Sequence, residues 1–385
     1  MERKTAFVDY YKRHGAGLVD REFAGGLRRA NSLREGLYLA LGVPPSMLRD
    51  RRVIEFGPGS GHYSVFNLLQ RPARYTLVDG APEILEEAKK RLQEFTPFID
   101  KTDFVESLFL DLKCKEPYDV VLAESCIHHQ EDPGKIFKHI ATFVRQTGVM
   151  IFTTVSATSC LSEIMRRLGR DAHISPSEEY NVQLDKFLPI FSEHLKHLAG
   201  VSRSAENWVL DNIVQPLSNV QLFSIPDAVK HAQDDFCILG SSPRFSQEWT
   251  WYRLLEDPTS QLNKNFLKQY YECNLSLVDY RMKRMFCPES FGEELEYLCL
   301  SLWKGMCKLE NGQESEWPGI IRTLREIAAL IQPHADKTFS AIEEGIRWIE
   351  EGGKPGAELG EFGKLWGRGQ QHVAIYRNSR SVGLG

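Results

Sequence analysis

Residues 53–70 have the sequence VIEFGPGSGHYSVFNLLQ: an apolar run, three glycines within five positions, and then apolar residues at helical spacing. A strand that ends at Gly57 and continues into a helix after Gly61 exposes backbone N–H groups, because glycine has no Cβ to keep a ligand away. The same pattern also occurs in purely structural turns. The stretch therefore predicts a β-turn-α unit, in which the turn either binds a nucleotide or has a structural role.

Two carboxylates flank this turn and narrow the choice of ligand. Asp79 ends the next predicted strand, 22 residues after Gly57, where it would accept hydrogen bonds from the ribose hydroxyls of a nucleoside lying across the strand ends. Glu55 stands two residues before the first glycine, where a pyrophosphate would be repelled and a cationic amino acid group attracted. The turn also lacks the G-x-G-x-x-G spacing of dinucleotide sites. These features favour a nucleoside with a positively charged tail over a dinucleotide.

Alternating strands and helices extend from this unit to about residue 155. Predicted strands are 51–57, 74–80, 103–107, 118–125 and 149–156, and predicted helices are 61–70, 82–95 and 133–148. The last helix is predicted to bury Phe143 and Val144 and to end at Gly148. Two further strands are predicted at 235–242 and 372–378. Repeated β-α-β units of this kind form a doubly wound, mostly parallel α/β sheet, here of seven strands.

The remaining segments are predicted to be helical and to elaborate this core. Between the two late strands lie about 130 residues with Leu, Trp and Tyr at helical spacing and few β runs. The predicted organisation is an N-terminal helical lid (1–50), a nucleoside-binding core (51–155), a helical region near the substrate (156–234), the late strands (235–245 and 370–378) and a helical insertion (246–369).

Composition excludes several classes of protein. The 52 acidic and 47 basic residues give a net charge of −5, which disfavours a nucleic acid partner. The sequence has no apolar run long enough for a membrane span and no apolar leader after the charged N-terminus, so we expect a cytoplasmic protein without a membrane partner. The eight cysteines have no C-x-x-C or C-x-x-H spacing, so we expect neither a metal site nor a disulfide framework.

At this point the sequence resembles the class I S-adenosylmethionine-dependent methyltransferases, whose first motif has the form acidic-x-G-x-G-x-G. Here the motif stands as EFGPGSG, residues 55–61. The resemblance continues through LVDGAPEILEEAKKRL, PYDVVLAESCIHHQEDPGKIFKHI and TGVMIFTTV, and it covers roughly residues 50–155. It implies a Rossmann-like methyltransferase fold with S-adenosyl-L-methionine as cofactor.

The resemblance implies roles for individual residues in cofactor binding. Glu55 would hold the ammonium group of the methionine moiety, and Asp79 would accept both ribose hydroxyls. The family often has an acidic residue after the third strand to bind the adenine amino group, whereas this chain has Leu108 and Phe109, so backbone groups and ring packing would have to recognise adenine. The remaining implied contacts are the turn residues Gly57, Pro58, Gly59 and Gly61, then Gly80, and finally Glu124 and Ser125 beside the methionine part.

The fourth strand ends at AESCIHHQED, where in this fold the methyl group meets the acceptor. His128, His129 or Glu124 is a candidate general base, and Tyr11 is a candidate catalytic residue on the N-terminal helix. Histidines in this loop also serve as packing or hydrogen-bonding residues. Because methyl transfer from a sulfonium depends mainly on alignment and exclusion of water, a base is optional.

Candidate acceptor contacts lie outside the nucleotide-binding segment. Tyr10 and Tyr11 belong to a predicted N-terminal helix, as lid residues or as ordinary packing residues. Arg28 is a candidate ligand for a substrate carboxylate or phosphate, with a solvated basic face as the alternative. Trp208, Asp211 and Asn212 would combine an aromatic wall with polar groups one turn away, or would belong to an amphipathic helix.

These observations favour a methyltransferase that acts on an O, N or C nucleophile of a small molecule, with a homodimer possible. One alternative is an enzyme that uses the same cofactor to transfer or cyclise its aminopropyl or aminocarboxypropyl arm. Another is a non-catalytic scaffold that binds a partner through residues 250–365. RNA or protein methylation is disfavoured by the net charge and by AESC in place of an amide motif after the fourth strand.

Overall fold

The computed structural model describes two compact units of this chain. The described residues are 23, 25–128, 130–175, 178–201, 203–215, 217, 221–232, 235–255 and 257–379. The first unit comprises Met1–Thr154, Val220–Gln269 and Gln370–Gly385, and the second comprises Val155–Asn219 and Tyr270–Gly369.

A seven-stranded sheet forms the centre of the first unit. Its strands are β1 (Arg52–Phe56), β2 (Arg74–Asp79), β3 (Thr102–Glu106), β4 (Tyr118–Ala123), β5 (Val144–Thr154), β6 (Phe236–Ser242) and β7 (Gln371–Arg377). The order across the sheet is β3-β2-β1-β4-β5-β7-β6. Neighbouring strands from β3 to β5 pair in parallel, and β7 pairs antiparallel with both β5 and β6. The predicted doubly wound, mostly parallel sheet is confirmed.

The helices follow the β-α alternation early in the chain and then dominate the second unit. They are α1 (Leu27–Ala40), α2 (His62–Leu69), α3 (Pro82–Phe95), α4 (Pro133–Ala141), α5 (Leu161–His173), α6 (Tyr180–Leu195), α7 (Ala205–Val209), α8 (Ile225–Ala232), α9 (Pro258–Glu272), α10 (Leu275–Val278), α11 (Glu289–Glu310), α12 (Trp317–Ile331) and α13 (Asp336–Glu350). A single π-helical turn, Leu210–Val214, follows α7. Within the described ranges, no helix has the length and apolar character to cross a membrane.

Burial on both faces of the sheet explains why the central strands are continuously apolar and do not alternate between apolar and polar residues. A parallel strand with helices on both faces is buried on both sides, and β1 and β4 accordingly have continuous buried runs at Val53–Phe56 and Val120–Ala123. Helix α1 contributes Tyr38, which is fully buried in the same hydrophobic cluster as strand residue Val53. The carboxyl ends of β1, β2 and β4 therefore meet at one edge of a rigid, apolar layer.

One sequence prediction of the fold is wrong. The helix predicted for 133–148 ends at Ala141, and Val144 already belongs to β5. Phe143 is buried, and its carbonyl accepts a hydrogen bond from the backbone N–H of Tyr118 at 2.7 Å. The helical spacing of Phe143 and Val144 misled the prediction because a buried strand start and a buried helix end have the same apolar pattern over two residues.

Candidate functional site

The glycine turn after β1 requires glycine at its first and last positions. Gly57, Gly59 and Gly61 have φ angles of 65°, 54° and 76°, in the left-handed region that other residues seldom adopt. A Cβ on Gly57 would lie 2.7 Å from the Cβ of Cys126, and one on Gly61 would lie 3.0 Å from the Cα of Ala88 in α3. The turn around Pro58 therefore brings bare backbone to the start of α2.

Glu55 is buried at the end of β1 and is held by two hydroxyl groups. Ser64 Oγ donates a hydrogen bond to its Oε2 at 2.8 Å, and the hydroxyl of Tyr75 donates to the same oxygen. Burial raises the pKa of Glu55 to about 7, against the opposing effect of the Tyr75 hydroxyl. Sequence reasoning did not identify these two partners, which stabilise the carboxylate inside the unit.

The hydrogen bonds continue from Tyr75 to helix α1. Asn67 Nδ2 donates to the Tyr75 hydroxyl at 3.2 Å, and the Tyr38 hydroxyl donates to Asn67 Oδ1 at 2.7 Å. Asn67, Tyr75 and Tyr38 are fully buried. A continuous polar chain therefore connects α1, α2 and β2 to Glu55.

Asp79 ends β2 next to the glycine turn, as predicted. Its Oδ1 accepts a hydrogen bond from the backbone N–H of Ala81 at 2.9 Å. Burial raises the pKa of Asp79 to about 6, although the N–H groups of Ala81 and Gly80 act in the opposite direction. Within the described part of the chain, backbone N–H groups and no cation hold this carboxylate, which leaves acceptor capacity for the hydroxyl groups of a ligand.

Leu108 and Phe109, the residues after β3, lie beside these two loops. A Cβ on Gly80 would be 3.0 Å from Leu108 Cδ2, and one on Gly57 would be 3.6 Å from Phe109 Cζ. The ring of Phe109 also packs edge to face on Phe56, with 5.5 Å between centroids. The structure thus brings the predicted adenine-contacting residues next to the glycine turn and Asp79.

Glu124, the residue after β4, forms a buried ion pair with Arg34 of α1. The guanidinium donates from Nη1 to Oε2 at 2.7 Å and from Nη2 to Oε1 at 2.6 Å. His372 Nε2 lies 3.4 Å from Oε2. Burial alone would raise the pKa of Glu124, but Arg34 outweighs it and holds that pKa far below its usual value. A carboxylate this acidic is a poor proton acceptor, which makes Glu124 the less favourable of the candidate general bases beside His128 and His129.

The sequence analysis did not identify Arg34, although its position four residues before Tyr38 indicates that both side chains lie on the same face of α1. Because Tyr38 is buried, this is the buried face of the helix. Its guanidinium carbon lies 4.2 Å from the ring centre of Tyr63. The predicted arginine, Arg28, is exposed on the same helix. The buried arginine is therefore the one that reaches the strand ends.

Ser125 and His128 follow Glu124 and share a partner from the far end of the chain. Ser125 has a positive φ of 60°, and its backbone N–H donates to Thr153 Oγ1 at 2.7 Å. Ser125 Oγ donates to Gln370 Oε1 at 2.6 Å, and Gln370 Nε2 lies 3.4 Å from Nε2 of the buried His128. Gln370 therefore joins two residues of the predicted reaction loop.

The other predicted catalytic and acceptor residues lie partly outside the described residues and partly in the second unit. Tyr10, Tyr11 and His129 lie outside the described residues. In the second unit, Trp208 is buried and packs edge to face on Trp366, with 5.2 Å between ring centroids. Asp211 pairs with Arg203, and Asn212 Nδ2 donates to the Trp208 carbonyl at 2.9 Å. These contacts favour the amphipathic-helix alternative for Trp208, Asp211 and Asn212.

A model of one protein family matches part of the chain. A family model described as a methyltransferase domain matches residues 27–212, a range that begins at α1 and contains the glycine turn, Asp79 and the loop after β4. A search of curated proteins finds no match for the chain.

Solved structures with a similar arrangement share little sequence identity with the chain. N-methyltransferase NodS from Bradyrhizobium japonicum WM9, in complex with S-adenosyl-L-homocysteine, is 15% identical over 40% of this chain and 76% of its own, with a TM-score of 0.32. A putative sarcosine dimethylglycine methyltransferase from Galdieria sulphuraria is 12% identical over 91% of this chain and 86% of its own, with a TM-score of 0.37. An S-adenosylmethionine-dependent methyltransferase from Mesorhizobium loti is 15% identical over 29% of this chain and 50% of its own, with a TM-score of 0.26.

Proposed function

We propose that the chain is a class I S-adenosylmethionine-dependent methyltransferase that methylates a small-molecule acceptor, from the premise that residues 27–212 match a methyltransferase domain. The observation that supports this proposal is the arrangement of Asp79, the glycine turn and the Arg34–Glu124 pair around the carboxyl ends of three adjacent strands. The net charge of −5 favours a small acceptor over a nucleic acid. The cytoplasmic location and the homodimer stay predictions.

The cofactor is S-adenosyl-L-methionine, which supplies an electrophilic methyl group on a sulfonium. The site fits it: Gly57 and Gly61 keep side chains away from the backbone, and Asp79 retains acceptor capacity for a sugar diol. We propose that Leu108 and Phe109 pack on the adenine ring.

The methionine end of the cofactor carries both an ammonium and a carboxylate group, and the chain offers a partner for each. We propose that Glu55 and Glu124 provide the negative field for the ammonium group. Arg34 Nε is buried and has no hydrogen-bond acceptor among the described residues, so this N–H is available to a ligand carboxylate. The bidentate pair with Glu124 fixes the guanidinium in place and thereby orients that donor.

The chain's contribution to the reaction is alignment and the exclusion of water. We propose that Arg34, Glu124 and Ser125 form a rigid, mostly buried wall at the reaction end of the site, so that the acceptor approaches the methyl group in line. Tyr10 and Tyr11 are proposed to cover this end, and Arg28 is proposed to contact an anionic group of the acceptor.

Calorimetric titration with S-adenosylhomocysteine tests the cofactor site. We expect Asp79→Ala to weaken binding by about tenfold or more, because a charge-assisted hydrogen bond to the ribose is lost. Asp100→Ala, which removes an exposed carboxylate from the same unit, is the matched control and should bind as the parent does. Equal affinity of Asp79→Ala and the parent would remove the basis of the assignment.

Labelled S-adenosylmethionine tests the class of acceptor. With a methyl-labelled cofactor and a cell extract, we expect label to enter the low-molecular-weight fraction, with S-adenosylhomocysteine as co-product. Label in protein or RNA alone would refute the small-molecule proposal. Formation of methylthioadenosine would instead show transfer of the aminopropyl or aminocarboxypropyl arm.

A further inference from the structure

We infer that Gln370 is a positioning residue for methyl transfer, which holds His128 in the tautomer with its proton on Nδ1 and fixes the loop after β4. This inference rests on the proposed function, because it concerns the loop where the acceptor meets the methyl group. Gln370 is separated from Ser125 by 245 positions in sequence.

The backbone of Gln370 has little freedom. It directly precedes β7, whose first residue, Gln371, pairs with Thr154 of β5. Thr154 Oγ1 also donates to the Gln371 carbonyl at 3.3 Å, and both residues are fully buried. Because β5 is itself paired with β4, the sheet fixes the distance from Gln370 to the end of β4.

Two hydrogen bonds hold Ser125 in a conformation that is unfavourable for a residue other than glycine. The positive φ of 60° costs free energy in an L-residue and persists only when its surroundings enforce it. Thr153 accepts from the Ser125 backbone, and Gln370 accepts from its hydroxyl. Gln370 is therefore one of the described partners that keep this turn in place.

The orientation of the Gln370 side-chain amide determines which ring nitrogen of His128 carries the proton. The 2.6 Å separation from Ser125 Oγ suits an O–H···O hydrogen bond and is short for N–H···O, so the amide oxygen faces Ser125. The amide nitrogen, which can only donate, then faces Nε2 of His128 at 3.4 Å. A ring nitrogen that accepts a hydrogen bond carries no proton, so the neutral imidazole is protonated on Nδ1.

This assignment changes the role of His128 in the reaction. The lone pair on Nε2 faces the Gln370 amide, and the other nitrogen presents an N–H group. His128 is therefore a hydrogen-bonded residue that fixes the loop rather than a base that removes the acceptor's proton. This role suits an acceptor whose nucleophilic lone pair is already free, such as an uncharged amine.

Nitrogen-15 NMR of histidine-labelled protein tests the tautomer without a substrate. At about pH 8, where an ordinary imidazole is neutral, we expect the His128 Nδ1 signal to be that of a protonated nitrogen and the Nε2 signal that of an unprotonated one. In Gln370→Glu, a carboxylate accepts from both neighbours, and the proton should move to Nε2 or occupy both nitrogens. Among the described residues, the ionisable groups beside this loop are Glu124, paired with Arg34, and His372, and all variants retain them.

Two variants separate positioning from folding. Gln370→Met keeps the side-chain length without the amide, and we expect about tenfold lower kcat with unchanged affinity for S-adenosylhomocysteine. Gln146→Glu makes the same charge change as Gln370→Glu at an exposed position of the same unit and should alter neither the NMR signals nor kcat. A parent protein with the proton on Nε2, or a Gln370→Met variant with parental kcat, would overturn the inference. Failure to bind S-adenosylhomocysteine would refute the proposed function, whereas the NMR result would still decide the tautomer.

Discussion

At the scale of single residues, the site contains three carboxylates in different electrostatic states. Desolvation raises the pKa of the buried Glu55 and of the partly buried Asp79, whereas the buried Glu124 is kept ionised. Asp79 and Glu55 have pKa values of about 6 and about 7, whereas Glu124 is held ionised by its guanidinium partner. Burial disfavours a carboxylate unless a cation or hydrogen-bond donors compensate, and a cofactor with a sugar diol and a cationic tail provides both. The two raised pKa values therefore indicate where ligand donors are expected.

The raised pKa of Asp79 predicts that cofactor binding depends on pH. Ribose hydroxyls donate more strongly to the ionised carboxylate than to the neutral acid, so the bound state has the lower pKa and binding weakens as pH falls through the free-state value of about 6. We expect the affinity for S-adenosylhomocysteine to be level above about pH 8, and the protonation of Asp79 to lower it by up to about tenfold per pH unit below 6. Calorimetry between about pH 5 and pH 8 measures this profile.

Two variants assign the profile to a particular carboxyl group. Asp79→Asn keeps the shape of the side chain but does not titrate, so the component near pH 6 should disappear and the remaining affinity should be lower. Glu55, with its pKa of about 7, also favours a cationic ligand when ionised, and Glu55→Gln should remove a component near that pH. An unchanged profile in Asp79→Asn would contradict the assignment.

At the scale of elements, helix α1 is connected to the ends of two strands by buried polar contacts. Arg34 bonds to Glu124 after β4, and Tyr38 leads through Asn67 and Tyr75 to Glu55 at the end of β1. Because all of these contacts are buried, the position of α1 and the shape of the site are determined together.

Removal of Arg34 should reveal the strength of this connection. In Arg34→Met the Glu124 carboxylate stays buried without its guanidinium, and we expect the free energy of unfolding to fall by about 3–5 kcal/mol. Adding Glu124→Gln to that variant removes the stranded charge and should recover part of the loss. Urea denaturation measures both changes. Losses that simply add in the double variant would show that the two side chains are not coupled.

The elements of the first unit could largely be predicted from sequence, whereas the contacts in the site could not. The sequence predicts that Asp79 ends strand β2, as the structure has it, because apolar runs and turn residues are local signals. The partnerships of Glu124 with Arg34 and of Ser125 with Gln370 span 90 and 245 positions, and no local pattern records which side chains the sheet brings together. The end of α4 was missed for a different reason, because Phe143 is buried in either conformation.

At the scale of the whole molecule, each unit contains its own buried ionic cluster. In the second unit, Glu310 of α11 accepts hydrogen bonds from Arg167 at 2.8 and 3.0 Å and from Arg170 at 2.6 Å, both on α5. All three side chains are less than a tenth exposed. Such a cluster contributes little net stability compared with apolar packing, but it is costly to break because charges remain buried without a partner.

The cluster predicts a large effect from a single isosteric substitution in the second unit. Glu310→Gln keeps the volume of the side chain but leaves Arg167 and Arg170 without their shared carboxylate, and we expect a loss of about 3–5 kcal/mol in the free energy of unfolding. Differential scanning calorimetry should record this loss as a lower unfolding temperature. Glu314→Gln, an exposed substitution four residues further on, is the matched control and should change the stability by less than about 0.5 kcal/mol. Arg170 also bonds to Asp171, and Arg167 also donates to the carbonyls of Asn212 and Gln215. A parental unfolding temperature in Glu310→Gln would show that these partners suffice, and Glu310 would then have no role in the stability of the second unit.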